Sequence, residues 1–298
     1  MSSAVLYDTP GPKAKARNVL YAVLFLVLLA LLVWWVLNAM AEKGQLSWLR
    51  WQPYLGGTEA WETYLLPGLQ NTAKAAGLSI LIALPIGAFF GIARLSDHRW
   101  ISWPASVVVE FFRAVPVLIL MLSANVAYSQ FADFPTDTRY LYAVVTGLVL
   151  YNGSVLAEVV RAGILSIPRG QSEAALAVGM RKGQLMTNVL LPQAVTAMLP
   201  AIVSQLVVIV KDTAIGGAVL GFPELINSVR PAAAYYFNVI PTLIVVAAIY
   251  IAVNFVLTSF ASWLEKWLRT RKRGTSVVAG DMIEEQAPGM RFGGGGGI

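Results

Sequence analysis

Long apolar runs separated by short polar segments dominate the chain. A helix rises about 1.5 Å per residue, so roughly 20 consecutive apolar residues reach across the hydrocarbon of a bilayer. Six runs meet that length, at residues 19–41, 72–93, 107–126, 140–160, 195–220 and 239–260. The pattern predicts an all-α membrane protein with about six transmembrane helices. Several runs contain helix breakers: Pro85 and Gly87, Pro116, Gly147, and Gly216 with Gly217. Breaks of this kind survive in lipid only where neighbouring helices or cavities satisfy the freed backbone groups, so the runs should form a bundle. The first run follows Lys13, Lys15 and Arg17 and closes on Ala39-Met40-Ala41, which has the small-x-small form of a signal-peptide cleavage site. Its apolar stretch is longer than the usual signal core, and it is read as an uncleaved first helix.

Composition agrees with a lipid solvent. Of 298 residues, 57% are apolar and 13% are charged, against about 25% charged in an ordinary soluble domain. There is no cysteine, which excludes disulfides and thiol chemistry, and the single His98 excludes a histidine-cluster metal site. A net charge of +6 raises the question of nucleic acid, but the cations fall in loops between apolar runs. That is the distribution the positive-inside rule produces. Arg94 and Arg99, then Arg161, Arg169, Arg181 and Lys182, then Lys266, Arg269, Arg271, Lys272 and Arg273 mark one side of the membrane. Only Lys43, Arg50, Arg139 and Arg230 mark the other. Every loop agrees on one topology, with both termini cytoplasmic. Trp263 and Trp267 then belong to an inner aromatic belt, and Trp48, Trp51, Tyr54, Trp61 and Tyr64 to an outer one.

The chain divides into a cytoplasmic tail at 1–18, an extra first helix with an outer aromatic loop at 19–67, a transmembrane domain at 68–270 and a disordered cytoplasmic tail at 271–298. The outer segment 42–67 reads as a membrane-surface connector, with an interfacial helix or a contact for an external partner as alternatives. Lys74, near the outer end of its run, reads as a snorkelling residue.

The segment between the fourth and fifth runs carries the strongest signal. Pro168 suits the first turn of a short helix, and Ser172 can cap a helix beginning at Glu173. Gln171 opens the segment; Ala174, Ala175 and Ala177 favour helix and are slim; Gly179 can take the left-handed conformation that ends it. The spacing is Glu-Ala-Ala, three residues, Gly, nine residues, an aliphatic, one residue, Leu-Pro. Glu173, Ala174, Ala175, Gly179, Val189, Leu191 and Pro192 fill it.

This spaced pattern resembles the cytoplasmic coupling loop of ABC importer permeases, where a separate ATPase subunit docks. The resemblance runs from about Gly68 to Trp267 and points to the polar amino-acid uptake family. Phe112-Arg113-Ala114-Val115-Pro116 is similar to that family's Arg-Gly-Thr-Pro segment, with Ala114 and Val115 as departures. Ala157-Glu158-Val159-Val160-Arg161-Ala162-Gly163 is similar to its Ala-Glu-x-x-Arg-Gly-Gly, and Lys211-Asp212-Thr213 matches a further segment. Val155 stands where the family carries a tyrosine. The stretch from Tyr151 to Glu158 resembles bacterial glutamate permease subunits in particular. The resemblance implies the type I importer transmembrane fold in the bacterial inner membrane. It also implies four kinds of partner: lipid, an ATPase dimer, a second permease subunit (identical or related), and an extracytoplasmic amino-acid-binding protein. The chain has no Gly-x-x-x-x-Gly-Lys-Ser/Thr loop to cradle phosphates, so ATP and Mg belong to the partner ATPase and no cofactor is expected here.

Charges within apolar runs are costly and mark a pathway or an internal pair. Glu158 and Arg161 are three apart and share a helix face. A structural ion pair and a place in the pathway are both open to them, and the resemblance implies that Glu158 faces the translocation cavity. Arg113 reads as a packing or gate residue in the pathway. Lys211, Asp212 and Thr213 interrupt the fifth run. There Lys211 can meet a substrate carboxylate, pair with Asp212 or snorkel outward. A rival reading, a self-sufficient ion-coupled transporter, predicts an internal repeat that is not found, and it leaves segment 171–192 without a purpose.

Overall fold

A computed structural model of the chain describes residues 11–273, and those residues form helices joined by short turns, with no strand among them. The tail residues 274–298 and 1–10 lie outside the described residues. The first helix, α1 (Pro12–Glu42), begins at the first turn where proline costs no hydrogen bond, so Lys13, Lys15 and Arg17 sit on the helix itself and not in a separate tail. It buries no residue against the rest of the chain.

A short helix, α2 (Trp48–Leu55), follows within the outer aromatic segment. The connector therefore has helical structure of its own. One member of the expected aromatic belt turns inward: Tyr54 is buried, and its hydroxyl donates to Asn238 Oδ1 at 3.1 Å and lies 2.6 Å from Thr242 Oγ1. The side chain of Trp267 lies outside the described residues.

A π-helical turn at Trp61–Leu65 leads into α3 (Leu66–Ala93), which runs unbroken through Pro85. The expected third run, 107–126, is two helices, α4 (Arg99–Ala114) and α5 (Val117–Phe131), bent by 99°. The cause is Pro116. Its ring disfavours the helical conformation for the preceding residue, and Val115 is extended (φ −83°, ψ 127°). Among the described residues five helices are long and apolar enough to span a membrane, and the bent pair, counted as one broken span, brings the number to the six apolar runs.

The central element is α6 (Thr136–Leu165), which packs against α3, α4, α5 and α9. Glycine contributes here by closeness. A Cβ on Gly87 would lie 2.6 Å from Leu156 Cβ, and one on Gly91 would lie 2.7 Å from the Ala157 carbonyl oxygen. Ala83, Gly87 and Gly91 recur every four residues along α3 and face Gly153 and Ala157 of α6. Lipid supplies no hydrophobic drive for helix association, so small residues that let backbones approach and form dispersion contacts hold the pair. Gly87 and Gly147, read as breakers in the sequence, are packing positions in unbroken helices; the backbone of Met121 lies against Gly147.

After α6 come α7 (Arg169–Ala177) and the short α8 (Lys182–Gln184). A π turn at Leu185–Leu190 then leads into α9 (Leu191–Ile215), and a second π turn at Gly216–Leu220 closes the span. The Gly216–Gly217 break is thus a widened turn in a helix that continues. Segment 221–228 leads to α10 (Val229–Tyr236) and then to α11 (Val239–Arg273), whose helical backbone extends into the region expected to be a disordered tail.

Candidate functional site

The coupling segment starts three residues beyond the end of α6. Its helix begins one turn earlier than the capping residues suggested: Pro168 is the N-cap of α7, Ser172 lies inside the helix, and Glu173 sits in its second turn. Proline wins as the start signal because it fixes a φ compatible with the extended N-cap and has no N–H to leave unsatisfied. The C-terminus is as expected. Gly179 takes φ +82°, and the N–H of Met180 donates to the Ala175 carbonyl at 3.1 Å while Gly179 N–H donates to Leu176. Gln171 reaches toward Gln193 of α9 (3.4 Å), close to Leu191 and Pro192, so the two ends of the motif meet in space. Ala174 and Glu173 share the short helix with the buried Ala175.

An apolar cavity of about 820 Å³ separates this segment from the α3–α4 turn, with Phe89, Ile92, Leu176, Leu185, Met186 and Leu190 among its walls. One ion pair, Lys182 with Asp97, crosses it. The lysine hydrogen bond holds the Asp97 carboxyl below the usual carboxylate range.

Two of the candidate pathway residues come together with three others. Glu158 Oε2 accepts from Arg94 Nη1 at 2.5 Å and lies 3.6 Å from Arg113 Nη1, while its Oε1 lies 3.2 Å from Arg161 Nη1. Glu110 completes the cluster, 2.9 Å from Arg94 and 3.8 Å from Arg113. The cluster ties the end of α3, the last turns of α4 and the part of α6 nearer α7. Three guanidinium groups face two carboxylates, so one positive charge is in excess. Arg94 is nearly buried, at 8% exposure, and its Nε is without a partner. Arg113 holds its carboxylates only at long range, one turn before the 99° bend.

Lys211, Asp212 and Thr213 lie elsewhere. Lys211 and Asp212 form no ion pair with each other or with any described residue. Lys211 lines a groove of about 660 Å³ between α9 and α11, together with Tyr250 and Asn254. Thr213 is fully buried and donates to the Val210 carbonyl at 2.7 Å. Register separates the two groups. Gln205 Nε2 donates to Asn152 Oδ1 at 2.5 Å, fixing α9 against α6. Glu158 lies six residues beyond that level toward α7, and Lys211 six residues away from it, about 18 Å apart along the axis.

Sequence reasoning missed Glu224. It is fully buried in segment 221–228. Its Oε1 accepts the backbone N–H groups of Ile226 (2.8 Å) and Asn227 (3.1 Å), and its Oε2 accepts from Thr72 (3.1 Å) and from the Tyr250 hydroxyl. A Cβ at Gly217 would overlap this carboxylate. A glutamate next to Gly221-Phe222-Pro223 reads as a solvated loop residue, and its partners are far away in sequence. Arg94 and Glu110 were also absent from the expected site. The i, i+3 pair Glu110–Arg113 inside an apolar run carried the same signal as Glu158–Arg161.

Comparison with known proteins places these features in a family. Residues 83–270 match the family of binding-protein-dependent transport system inner membrane components. The chain is 43% identical over 240 residues to the glutamate transport system permease protein GluD of Corynebacterium glutamicum, covering 80% of this chain and 87% of that one. It is 31% identical over 207 residues to the arginine transport system permease protein ArtQ of Bacillus subtilis, covering 70% and 93%. Among solved structures, an amino acid ABC transporter crystallised with histidines superposes with a TM-score of 0.60 at 29% identity, over 67% of this chain and 92% of that one. The chain therefore belongs to the inner-membrane permease components of binding-protein-dependent ABC importers, and it is a transporter subunit of the amino-acid branch and not itself an enzyme.

Proposed function

We propose that this chain carries L-glutamate into the cell, as one of two permease subunits driven by a separate ATPase dimer. The observation that carries the substrate is the 43% identity to a glutamate permease over 240 residues, 80% of this chain. Both termini are cytoplasmic in this reading, on the side marked by the cationic loops. An extracytoplasmic binding protein delivers the amino acid to the opposite face, and the second permease, identical or related, closes the pathway. ATP and Mg are held by the ATPase subunits.

The ionic cluster supports a gate at the α7 end of the pathway. Glu158, Arg113 and Arg161 lie within apolar spans yet remain about one third exposed in the single chain. Charges at that depth do not face hydrocarbon; they face a water-filled cavity or a neighbouring subunit. The face carrying α4 and α6 thus borders the pathway. Lys211, with Asp212 and Thr213 beside it, offers a cation about 18 Å farther toward the receiving face, where a substrate carboxylate enters.

Coupling follows from chain connection. Gln171, Glu173, Ala174, Ala175 and Gly179 form the docking helix and its turn, with Leu191 and Pro192 at the root of α9. Movement of α7 passes directly into α6 through residues 166–168, and hence to Glu158. The cavity behind the segment gives it room to move, and the Lys182–Asp97 pair links it to the α3–α4 turn. Breaking and remaking the contacts of Glu158 with Arg94 and Arg113 then opens and closes the gate.

Substrate identity is tested in proteoliposomes holding the whole transporter, by competition against labelled glutamate. Unlabelled glutamate and aspartate should compete, and arginine should not. Competition by arginine with none by aspartate would assign a cationic substrate instead.

A further inference from the structure

The turn between α10 and α11 carries an aromatic ring that packs against no other ring among the described residues. Phe237 adopts φ +53°, the only left-handed conformation at a non-glycine position among the described residues. Glycine or asparagine is the ordinary choice there, because a Cβ is unfavourable in that region. Phenylalanine adds a second cost: its ring is 85% exposed. Both costs are accepted at one position, and the ring does not take part in the chain's own core.

The backbone that presents the ring is rigidly held. Arg50 Nη1 donates to the Phe237 carbonyl at 2.9 Å, and Asn238 Nδ2 donates back to the Arg50 carbonyl at 2.8 Å. Asn238 is itself buried, and its Oδ1 accepts from Tyr54 (3.1 Å) and Thr242 (3.0 Å). The Asn238 N–H donates to Ala233, closing the end of α10. Strained residues persist where surrounding contacts over-determine them, and they gather at functional sites.

Position says what the ring faces. The helical path from Leu191, beside α7, to Leu220 is about 45 Å long, so the α10–α11 turn lies on the far side of the membrane from the coupling helix. A guanidinium on the Phe237 carbonyl and an asparagine beneath it mark a polar, hydrated setting and not hydrocarbon. The same turn connects inward: α10 begins five residues after Glu224, whose carboxylate binds α3 through Thr72 and α11 through Tyr250.

We propose that Phe237 is a docking knob for the extracytoplasmic binding protein, which receives the ring in an apolar depression on its surface. This rests on the importer reading, and the family is one whose transport depends on a binding protein. A load on the knob passes through α10 to the Glu224 contacts and so to α3 and α11.

The test uses the complete transporter in nanodiscs, titrated with its substrate-loaded binding protein, with ATPase stimulation as the readout. F237G deletes the ring and relieves the backbone, so the fold is retained, and F237W keeps an aromatic knob. Loss of a central aromatic anchor weakens association about tenfold or more. F237G should therefore raise the half-saturating concentration of binding protein by that factor, with unchanged basal ATPase rate and melting temperature, and F237W should stay near the unsubstituted value. A half-saturating concentration unmoved in F237G overturns the proposal. So does a lowered melting temperature in F237G without that shift, which would make the ring a lipid anchor. If the unsubstituted assembly is not stimulated by any amount of binding protein, the importer reading itself falls, and docking with it.

Discussion

Glu158 illustrates how much of a side chain's role depends on what surrounds it. Three guanidinium groups share its two oxygens, so neutralising it leaves Arg94 and Arg113 with only Glu110 and takes from Arg161 the carboxylate it pairs with. Hydrogen bonds to charged groups are worth about 1.5–3 kcal/mol each, with the lower end suited to a site that is one third exposed. Glu158→Gln should lower the unfolding temperature in nanodiscs and abolish most uptake. Adding Arg113→Gln restores the charge balance and should recover part of the stability but not the transport. Full additivity of the two losses would argue against a shared network. Glu224 differs, being fully buried with four donors. Glu224→Ala strands those donors at about 1–3 kcal/mol for each one left unsatisfied. Glu224→Gln should be milder, because its amide can face the Thr72 and Tyr250 hydroxyls, which can turn to accept. Thermal unfolding of the two variants orders them. The sequence showed Glu158 because its neighbour Arg161 is one helical turn away. It hid Glu224 and Arg94 because their partners, Thr72 and Glu158, are 152 and 64 positions distant.

At the scale of elements, apolar run length is a good guide to where helices exist and a poor one to whether they are straight. The run at 107–126 was visible, but the 99° bend at Pro116 depends on how one proline displaces Val115. Pro85 carries the same residue type within an unbroken helix, so proline alone does not decide. Glycines were legible as special positions, and only the fold distinguishes their uses. At Gly91 the need is closeness to α6, and a larger side chain forces the helices apart at about 1–3 kcal/mol. Gly91→Leu should therefore reduce the yield of folded, detergent-stable protein. At Gly179 the need is conformation: φ is +82°, and a Cβ there would meet no atom within 4 Å. Gly179→Val should cost about 1–2 kcal/mol, confined to the coupling turn. Gly179→Asn, which tolerates the left-handed region, should retain more ATP-coupled uptake than Gly179→Val, with equal membrane insertion. Equal uptake in the two would separate the turn from coupling.

The whole molecule orders these parts along one axis. Helix α7 lies at one end, the ionic cluster next to it, Lys211 about 18 Å farther on, and the Glu224 and Phe237 contacts toward the other end. In the proposed function, this arrangement carries ATP-driven movement of α7 to a gate through α6 without any chemistry in this chain. The central claim is therefore that transport is powered through the coupling helix by a separate ATPase. The most direct measurement is glutamate accumulation in proteoliposomes containing this permease with its partner permease, the ATPase, the binding protein and internal ATP. Uptake should require both ATP and the ATPase and should be indifferent to sodium or proton gradients. Accumulation by this chain alone, driven by an ion gradient without the ATPase, would contradict the account.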